Sequence, residues 1–278
     1  MKYSIFKDTL VDMPYPEIEE SIKQNAWVLL PISVVEEHGP HLCTGTDIYL
    51  TQSLCQKVKQ KLKVKDHPVV IAPPFYWGVN SITDGFVGSF SIKPETMTMM
   101  VLEILDNLNK WGFKKIFLLN FHGDFIHIKT IVEIVEQANK KNIEAYFLID
   151  KNLISRMDLN QDAAYLASVE LDPNKANLET SVIDIHAGAT ETSWMALSYN
   201  KLVDIEKAKT LKPTNLTISD LKAWLMGGEF AKSMTPLGYC GNPSNIDLEK
   251  IKIMEDIIAE KYASAIIKFS ENTLHQYL

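Results

Sequence analysis

The sequence predicts an α/β fold, a three-layer αβα sandwich in which helices cover both faces of a mostly parallel sheet. Short apolar runs alternate along the chain with longer segments whose apolar residues recur at helical spacing. This alternation is typical of repeated β-α units that build such a sheet. A chain of 278 residues can bury a substantial core, and we expect a single domain over residues 1–278.

The elements follow from the same periodicity. Four short apolar runs are expected to be buried strands, and they are residues 26–32, 68–73, 115–120 and 144–149. The segments with helical periodicity are residues 47–61, 95–111, 126–140, 191–199, 219–232 and 246–269. The stretch 200–215, between the predicted helices 191–199 and 219–232, is expected to be a surface connection or an oligomer contact.

Composition excludes several classes of protein. With 46% hydrophobic and 23% charged residues, the chain has the composition of an ordinary globular enzyme. The net charge of −7 and the absence of a basic stripe argue against a nucleic-acid partner. No apolar run approaches a membrane span, and three cysteines without close spacing do not predict a disulfide framework. We therefore expect a cytoplasmic protein with no membrane partner.

The first group of chemically active side chains directly follows the first predicted strand. In an extended segment residues two apart point to the same side, so Glu36 and His38 can face one cavity while Glu37 faces away. Asp47 lies in the first turn of the next predicted helix, where the helix dipole favours its carboxylate. Oxygen and nitrogen ligands are thus expected to converge here.

Two further groups follow the same logic. His122 and Asp124 come directly after a predicted strand, with Gly123 between them to allow close approach of the backbone. His186 precedes a predicted helix that opens at Glu191. In open α/β sheets the ligand crevice lies at the carboxyl ends of the strands, and the first two groups fall there.

Several carboxylates in one crevice would repel one another unless cations neutralised them. Divalent ions such as Zn²⁺ use these nitrogen and oxygen ligands. Two adjacent ions bridged by one carboxylate would also acidify a water for attack on an amide. Asp47 is the candidate bridge. A nucleotide-binding module is disfavoured because no Gly-x-Gly-x-x-Gly or Walker-type loop follows a predicted strand, and an intact ligand set speaks against a non-catalytic scaffold.

At these residues the sequence resembles the creatininase family, also called creatinine amidohydrolases. The resemblance begins with Glu36-Glu37-His38-Gly39-Pro40-His41 followed by Thr46-Asp47 and covers roughly residues 26 to 245. Its other parts are residues 73–78, which resemble the family's substrate-side loop, and Asn120-Phe121-His122, His186-Ala187-Gly188 and Glu191-Thr192-Ser193.

The resemblance implies a site with two divalent ions, Zn²⁺, Mn²⁺ or Fe²⁺. Glu36 and His122 would bind one ion, His38 the other, and Asp47 both. Creatininase itself has a Glu where this chain has Asp124. Two alternatives therefore remain: Asp124 is the fifth ligand, or Glu191 is and Asp124 supports the site from outside. The family also implies a homo-oligomer, a hexamer.

The resulting hypothesis is a metal-dependent hydrolase of a small amide or cyclic amide, in which a hydroxide bridging the ions attacks the carbonyl. His186 would pass a proton to the leaving nitrogen, with Asp184 either orienting His186 or capping the loop, and Glu191 would be a second catalytic side chain. The family also includes hydrolases of small cyclic ketones, formamide deformylases and a peptidase. Hydrolysis of a cyclic ketone such as an inositol-derived compound, or of a formamide, is the alternative on the same site.

Overall fold

One five-stranded sheet organises the protein. We describe it from a computed structural model, which covers residues 3–172, 178–179 and 181–274. The strands are β1 (Trp27–Ile32), β2 (Val69–Ile71), β3 (Ile116–Asn120), β4 (Ala145–Asp150) and β5 (Leu166–Val169). Their order across the sheet is β2-β1-β3-β4-β5, and every neighbouring pair is parallel. All carboxyl ends therefore meet at one edge.

Helices cover both faces of this sheet. They are α1 (Tyr15–Lys23), α2 (Thr46–Val64), α3 (Pro94–Trp111), α4 (Phe125–Lys140), α5 (Lys151–Arg156), α6 (Ala189–Ser198), α7 (Ile205–Thr210), α8 (Ile218–Trp224), α9 (Gly228–Met234) and α10 (Leu248–Leu274). Across the part of the chain that the structure describes, none of them has both the length and the apolar character that a membrane span requires.

Alternation along the strands creates two separate apolar layers. On β1, Leu29 packs with apolar residues of α2, α6 and α10, whereas Val28 and Leu30 pack with those of α3 and α4 on the other face. Successive side chains of a strand point to opposite faces, so a strand buried on both sides is apolar throughout. The predicted three-layer α/β fold with a parallel sheet is confirmed.

The long elements match their predicted positions to within a few residues. Each of the four predicted strands is present, and α2, α3, α4, α6 and α10 correspond to predicted helices. The prediction missed β5, because four residues with one exposed serine, Ser168, give too short an apolar run. It also missed the short helices α1, α5 and α7, of which α7 lies within the stretch expected to be a surface connection.

The predicted helix over residues 219–232 is wrong. The structure has two helices there, α8 and α9, because the backbone at Gly227 takes φ +74° and that at Gly228 takes φ +56°. A side chain at Gly227 would overlap the carbonyl oxygen of Ser81, and the Gly228 N–H donates to the carbonyl oxygen of Ile82 at 3.0 Å. The glycine pair therefore lets the chain turn sharply while it contacts the loop after β2.

A buried carboxylate joins three helices beneath the sheet. Glu255 of α10 accepts hydrogen bonds from Ser53 of α2 at 2.8 Å and from the Trp194 indole N–H of α6 at 3.0 Å. Its second oxygen pairs with the Lys57 ammonium at 2.9 Å. Because all its partners are polar groups of the protein, this charge can remain buried in the core, and Trp194 is a core residue.

We expect Gly227→Ala to lower the free energy of unfolding by about 1–3 kcal/mol, because a β-carbon is strained at this φ and overlaps the Ser81 carbonyl. Urea unfolding would measure the change. Gly123→Ala is the matched control, since nothing lies within 4 Å of a β-carbon built there, and its effect should stay within about 0.5 kcal/mol. Equal losses in both variants would contradict this account of the α8–α9 turn.

Candidate metal centre

The first two groups of predicted site residues lie at the carboxyl edge of the sheet, as expected. Ile32 at the end of β1 is in register with Asn120 at the end of β3. Glu36 and His38 follow β1 within a few residues, and His122 follows β3 by two. Asp47, in the first turn of α2, is 1% exposed and faces the same place. The topology thus brings together residues far apart in sequence.

One group of donor atoms consists of Glu36, Asp47 and His122. The His122 Nδ1 atom lies 3.0 Å from Glu36 Oε1 and 3.0 Å from Asp47 Oδ2. A single ring nitrogen can direct one hydrogen at only one of these oxygens. A cation bound among the three atoms would satisfy all of them together, and ligands of a tetrahedral ion lie about 3.3 Å apart at normal bond lengths.

A second group consists of His38, Asp47 and Glu191. His38 Nε2 lies 3.1 Å from Asp47 Oδ1 and 3.7 Å from Glu191 Oε2. The other ring nitrogen, Nδ1, donates to the carbonyl oxygen of Glu36 at 3.1 Å. When the ring is neutral, Nε2 therefore presents a lone pair to the carboxylates, as a metal ligand must. The two oxygens of Asp47 therefore belong to two different groups.

His186 borders both groups, and its two ring nitrogens have separate surroundings. Nε2 donates to the carbonyl oxygen of Glu37 at 2.9 Å and lies 3.3 Å from a carboxylate oxygen of the same residue. Nδ1 faces the centre, 3.7 Å from Glu36 Oε1. Asp184 does not orient His186; it accepts from the N–H groups of Ala189 and Asn242, so it is the loop cap.

Asp124, which we predicted to be a metal ligand, lies outside these donor groups. Its Oδ1 caps α4 by accepting from the N–H groups of Ile126 at 2.7 Å and His127 at 3.0 Å. Its Oδ2 accepts from both the N–H and the hydroxyl of Ser81, at 2.7 and 2.6 Å. Four donors already occupy the carboxylate, two from the first turn of α4 and two from Ser81. Of the two alternatives, Glu191 is the carboxylate that the structure brings to the centre.

Sequence analysis missed the residues that orient the ligands. Glu36 Oε2 accepts from Asn80 Nδ2 at 2.9 Å and from the Thr83 hydroxyl at 2.6 Å, so Oε1 is left for the centre. Asn120 fixes the turn after β3 through hydrogen bonds to the backbone N–H and carbonyl of His122. The only signal was the presence of Asn80, Ser81 and Thr83 shortly after the substrate-side segment 73–78.

His41 of the motif stays outside the donor groups. Its Nε2 hydrogen-bonds to the Thr192 hydroxyl at 2.8 Å and so ties the loop after β1 to α6 beside Glu191. Burial lowers the pKa of His41 to about 4, helped by the positive charge of His38. The ring is therefore neutral at ordinary pH and serves as a hydrogen-bonding support.

Opposite charges compensate one another within the centre. Burial disfavours the Glu36 carboxylate, yet the attraction of His122 and His186 outweighs it and lowers the pKa of Glu36. Burial likewise disfavours the Asp47 carboxylate, but attraction by the histidines, above all His38, outweighs it and lowers the pKa of Asp47. The carboxylates in turn outweigh burial at His38 and His122 and raise the pKa values of both rings. Glu191 is different, because burial prevails and raises its pKa. The site thus needs positive charge to hold its carboxylates ionised.

The donor set fits divalent transition ions. In each of the groups Glu36-Asp47-His122, His38-Asp47-Glu191 and Glu36-His38-His186, the atoms lie within 4.8 Å of one another. Imidazole nitrogens with carboxylate oxygens suit Zn²⁺, Mn²⁺ and Fe²⁺. Histidine rings held by backbone carbonyls, as His38 is, are typical of metal ligands.

A cavity of about 400 Å³ opens onto these side chains, a size within the range of small-molecule sites. Carboxylates and imidazoles line one part of it, and much of the remaining wall is apolar. Trp224 of α8 lies in this wall, with its ring centroid 6.1 Å from that of His186 and its indole N–H donated to Thr235. The cavity gives a small substrate access to the centre.

We expect Asp124→Ala to lower the free energy of unfolding by about 1–2 kcal/mol, since α4 loses its N-cap and Ser81 its anchor. Urea unfolding would measure it. The matched control is Asp204→Ala, which removes an exposed cap of the short helix α7 and should cost about 0.5 kcal/mol. A smaller loss at Asp124 than at Asp204 would contradict the capping role.

Sequence comparison places relatives over most of the chain. The family model for creatininase, described as creatinine amidohydrolase, matches residues 11–266. A creatinine amidohydrolase of Pseudomonas putida is 24% identical over 92% of this chain and 94% of its own. A 3-dehydro-scyllo-inosose hydrolase of Thermotoga maritima is 22% identical over 93% of this chain and 76% of its own. A mycofactocin precursor peptide peptidase of Mycolicibacterium smegmatis is 31% identical over 78% of this chain and 74% of its own.

Solved structures agree on the fold. A structure of creatinine amidohydrolase (creatininase) has a TM-score of 0.71 at 20% identity and covers 93% of this chain and 96% of that one. A structure described as creatininase with Mn has a TM-score of 0.70 at 18% identity and covers 94% of this chain and 98% of that one. A mutant creatininase of Zn–Zn type has a TM-score of 0.67 at 18% identity and covers 96% of this chain and 98% of that one. With the family match over nearly the whole sequence, the chain belongs to the creatininase family.

Proposed function

We propose that this protein is a metal-dependent hydrolase of small amides or cyclic amides. The observation that carries the proposal is the position of Asp47, whose Oδ1 faces His38 and whose Oδ2 faces His122. A carboxylate divided in this way is suited to bridging two cations. Support also comes from the family, which includes a creatinine amidohydrolase of Pseudomonas putida.

In this proposal Glu36 and His122 hold one ion, His38 and Glu191 the other, and Asp47 both. Bound there, the ions would polarise a substrate carbonyl and acidify a water for attack. Asn80 and Thr83 keep Glu36 Oε2 occupied, so that only Oε1 is presented to the centre. Asp124 supports the site through α4 and Ser81 and binds no ion.

His186 is the proposed proton carrier. Its Nε2–H is committed to Glu37, which fixes the ring and leaves Nδ1 facing the centre. A proton held at Nδ1 can be passed to the leaving nitrogen of the amide, which must be protonated as the C–N bond breaks. Glu36 and Glu37 surround the ring with negative charge and, against the effect of burial, raise the pKa of His186. The ring can therefore carry that proton.

A second candidate uses the same site. The relative from Thermotoga maritima that aligns over 93% of this chain is a 3-dehydro-scyllo-inosose hydrolase. Hydrolysis of a small cyclic ketone is therefore the alternative, with formamide deformylation a further one. Parallel assays of cyclic amides, formamides and cyclic polyol ketones with purified, metal-loaded protein would separate the three. The expected hexamer and the cytoplasmic location stay predictions.

We expect close to two transition-metal ions per chain in protein purified without chelator, and loss of both in Asp47→Ala, because this residue contributes an oxygen to the group with Glu36 and His122 and another to the group with His38 and Glu191. Mass spectrometry of metal content against protein concentration would measure this. Asp124→Ala is the matched control, since its carboxylate lies outside the donor groups and should leave the metal content unchanged. Full metal content in Asp47→Ala would refute the bridging role.

We expect His186→Asn to reduce kcat by about 10²- to 10⁴-fold, the usual contribution of a proton-transfer group. Steady-state kinetics on the best amide substrate would measure this. Metal content is measured in parallel, because His186 also lies within 4.8 Å of the donor atoms of Glu36 and His38. If activity and metal are lost together, His186 is a ligand and the proton-carrier role is wrong.

A further inference from the structure

The cavity extends beyond the donor groups to the end of the neighbouring strand. β4 lies next to β3 in the sheet, and α5 begins directly at the carboxyl end of β4. Leu153 and Arg156, three residues apart and so on one face of this helix, both line the cavity. One cavity therefore joins the candidate metal centre, next to β1 and β3, to the face of α5.

Arg156 is distinctive in this sequence. The chain contains 28 lysine and arginine residues, and Arg156 is the only arginine among them. It is exposed, and within the described residues its guanidinium forms no ion pair or hydrogen bond. By contrast, Lys151 at the start of the same helix pairs with Glu170 at 2.8 Å. The charge on the cavity side of α5 is thus available to a ligand, whereas the charge at its start is already paired.

The surroundings of Arg156 favour an anion with an apolar spacer. Phe147 and Ile149 of β4 and Leu153 of α5 form apolar wall on this side. The nearby Asp150 also lines the cavity, but its Oδ1 accepts from the N–H of Asn152 as the cap of α5, and it makes no ion pair with Arg156. A guanidinium offers several donors in a planar fork that matches the oxygens of carboxylate and phosphate groups.

We propose that Arg156 is a specificity-determining residue that binds an anionic group of the substrate, a carboxylate or a phosphate. An apolar segment along Leu153 and β4 joins this group to the amide that is presented at the donor groups. The substrate class is therefore an acidic amide rather than a neutral one. This inference rests on the proposed hydrolase function and names the substrate class of that same site.

Hydroxamates test the inference, because they chelate divalent ions and need no turnover. We would compare three series with spacers of two to six methylene groups, ending in a methyl, a carboxylate or a phosphonate. Affinity for the metal-loaded protein would be measured by isothermal titration calorimetry. At the best spacer length, one anionic series should bind about 10- to 100-fold more tightly than the methyl series, as expected for a charged hydrogen-bonded pair. Tighter binding of the carboxylate series would identify a carboxylate substrate, and tighter binding of the phosphonate series would identify a phosphate.

The preference should fall to within about twofold in Arg156→Met, because methionine carries no positive charge and no hydrogen-bond donor to pair with the anion. Lys151→Met is the matched control: it removes a charge from the same helix away from the cavity and should keep the preference. Metal content and melting temperature would show that both variants are folded. Equal binding of methyl and anionic probes, or a preference that survives in Arg156→Met, overturns this inference alone. If no hydroxamate binds, the proposed function fails as well.

Discussion

Two buried carboxylates, Glu36 and Asp47, share one small volume with the largely buried Glu191, and this crowding is the constraint on which the rest of the site depends. Glu36, Asp47 and Glu191 cannot stay ionised away from water without compensating positive charge. When protonated, His38 and His122 supply part of it. The bond from His38 Nδ1 to the Glu36 carbonyl aims Nε2 of that ring at the carboxylates, and His122 presents its Nδ1 to Asp47. The sheet makes this possible, because only parallel strands bring these side chains to one edge.

Much of this could be predicted from the sequence because the signals are local. A strand buried on both faces is apolar throughout, so the four longer strands and their carboxyl ends are visible in the residue pattern. Ligand-type residues two positions apart in an extended segment share a side, which predicted that Glu36 and His38 face one cavity. His122 was predicted from its position directly after β3. The first turn of a helix likewise favours Asp47. The topology then needed only the parallel rule to bring these residues together.

The features that the sequence did not predict depend on which groups compete for a side chain, on backbone angles and on contacts between distant residues. Asp124 has the spacing of a ligand after His122, but its carboxylate is also the nearest acceptor for the first N–H groups of α4 and for Ser81. Capping takes precedence since the helix begins at the next residue. Gly227 was counted as helical because periodicity records side-chain type rather than φ. Asn80 and Thr83 act through contacts with a residue more than 40 positions away.

The glycine turn between α8 and α9 has a wider consequence. It contacts the backbone of Ser81 and Ile82, and that short segment also anchors Asp124 and, one residue later, holds Glu36 through Thr83. Trp224, at the end of α8, forms part of the cavity wall. Three residues of backbone, 81–83, therefore link this part of the cavity wall to Thr83, the side chain that orients Glu36. Changing the shape of that wall will therefore also shift the Glu36 carboxylate within the candidate metal centre unless this link is preserved.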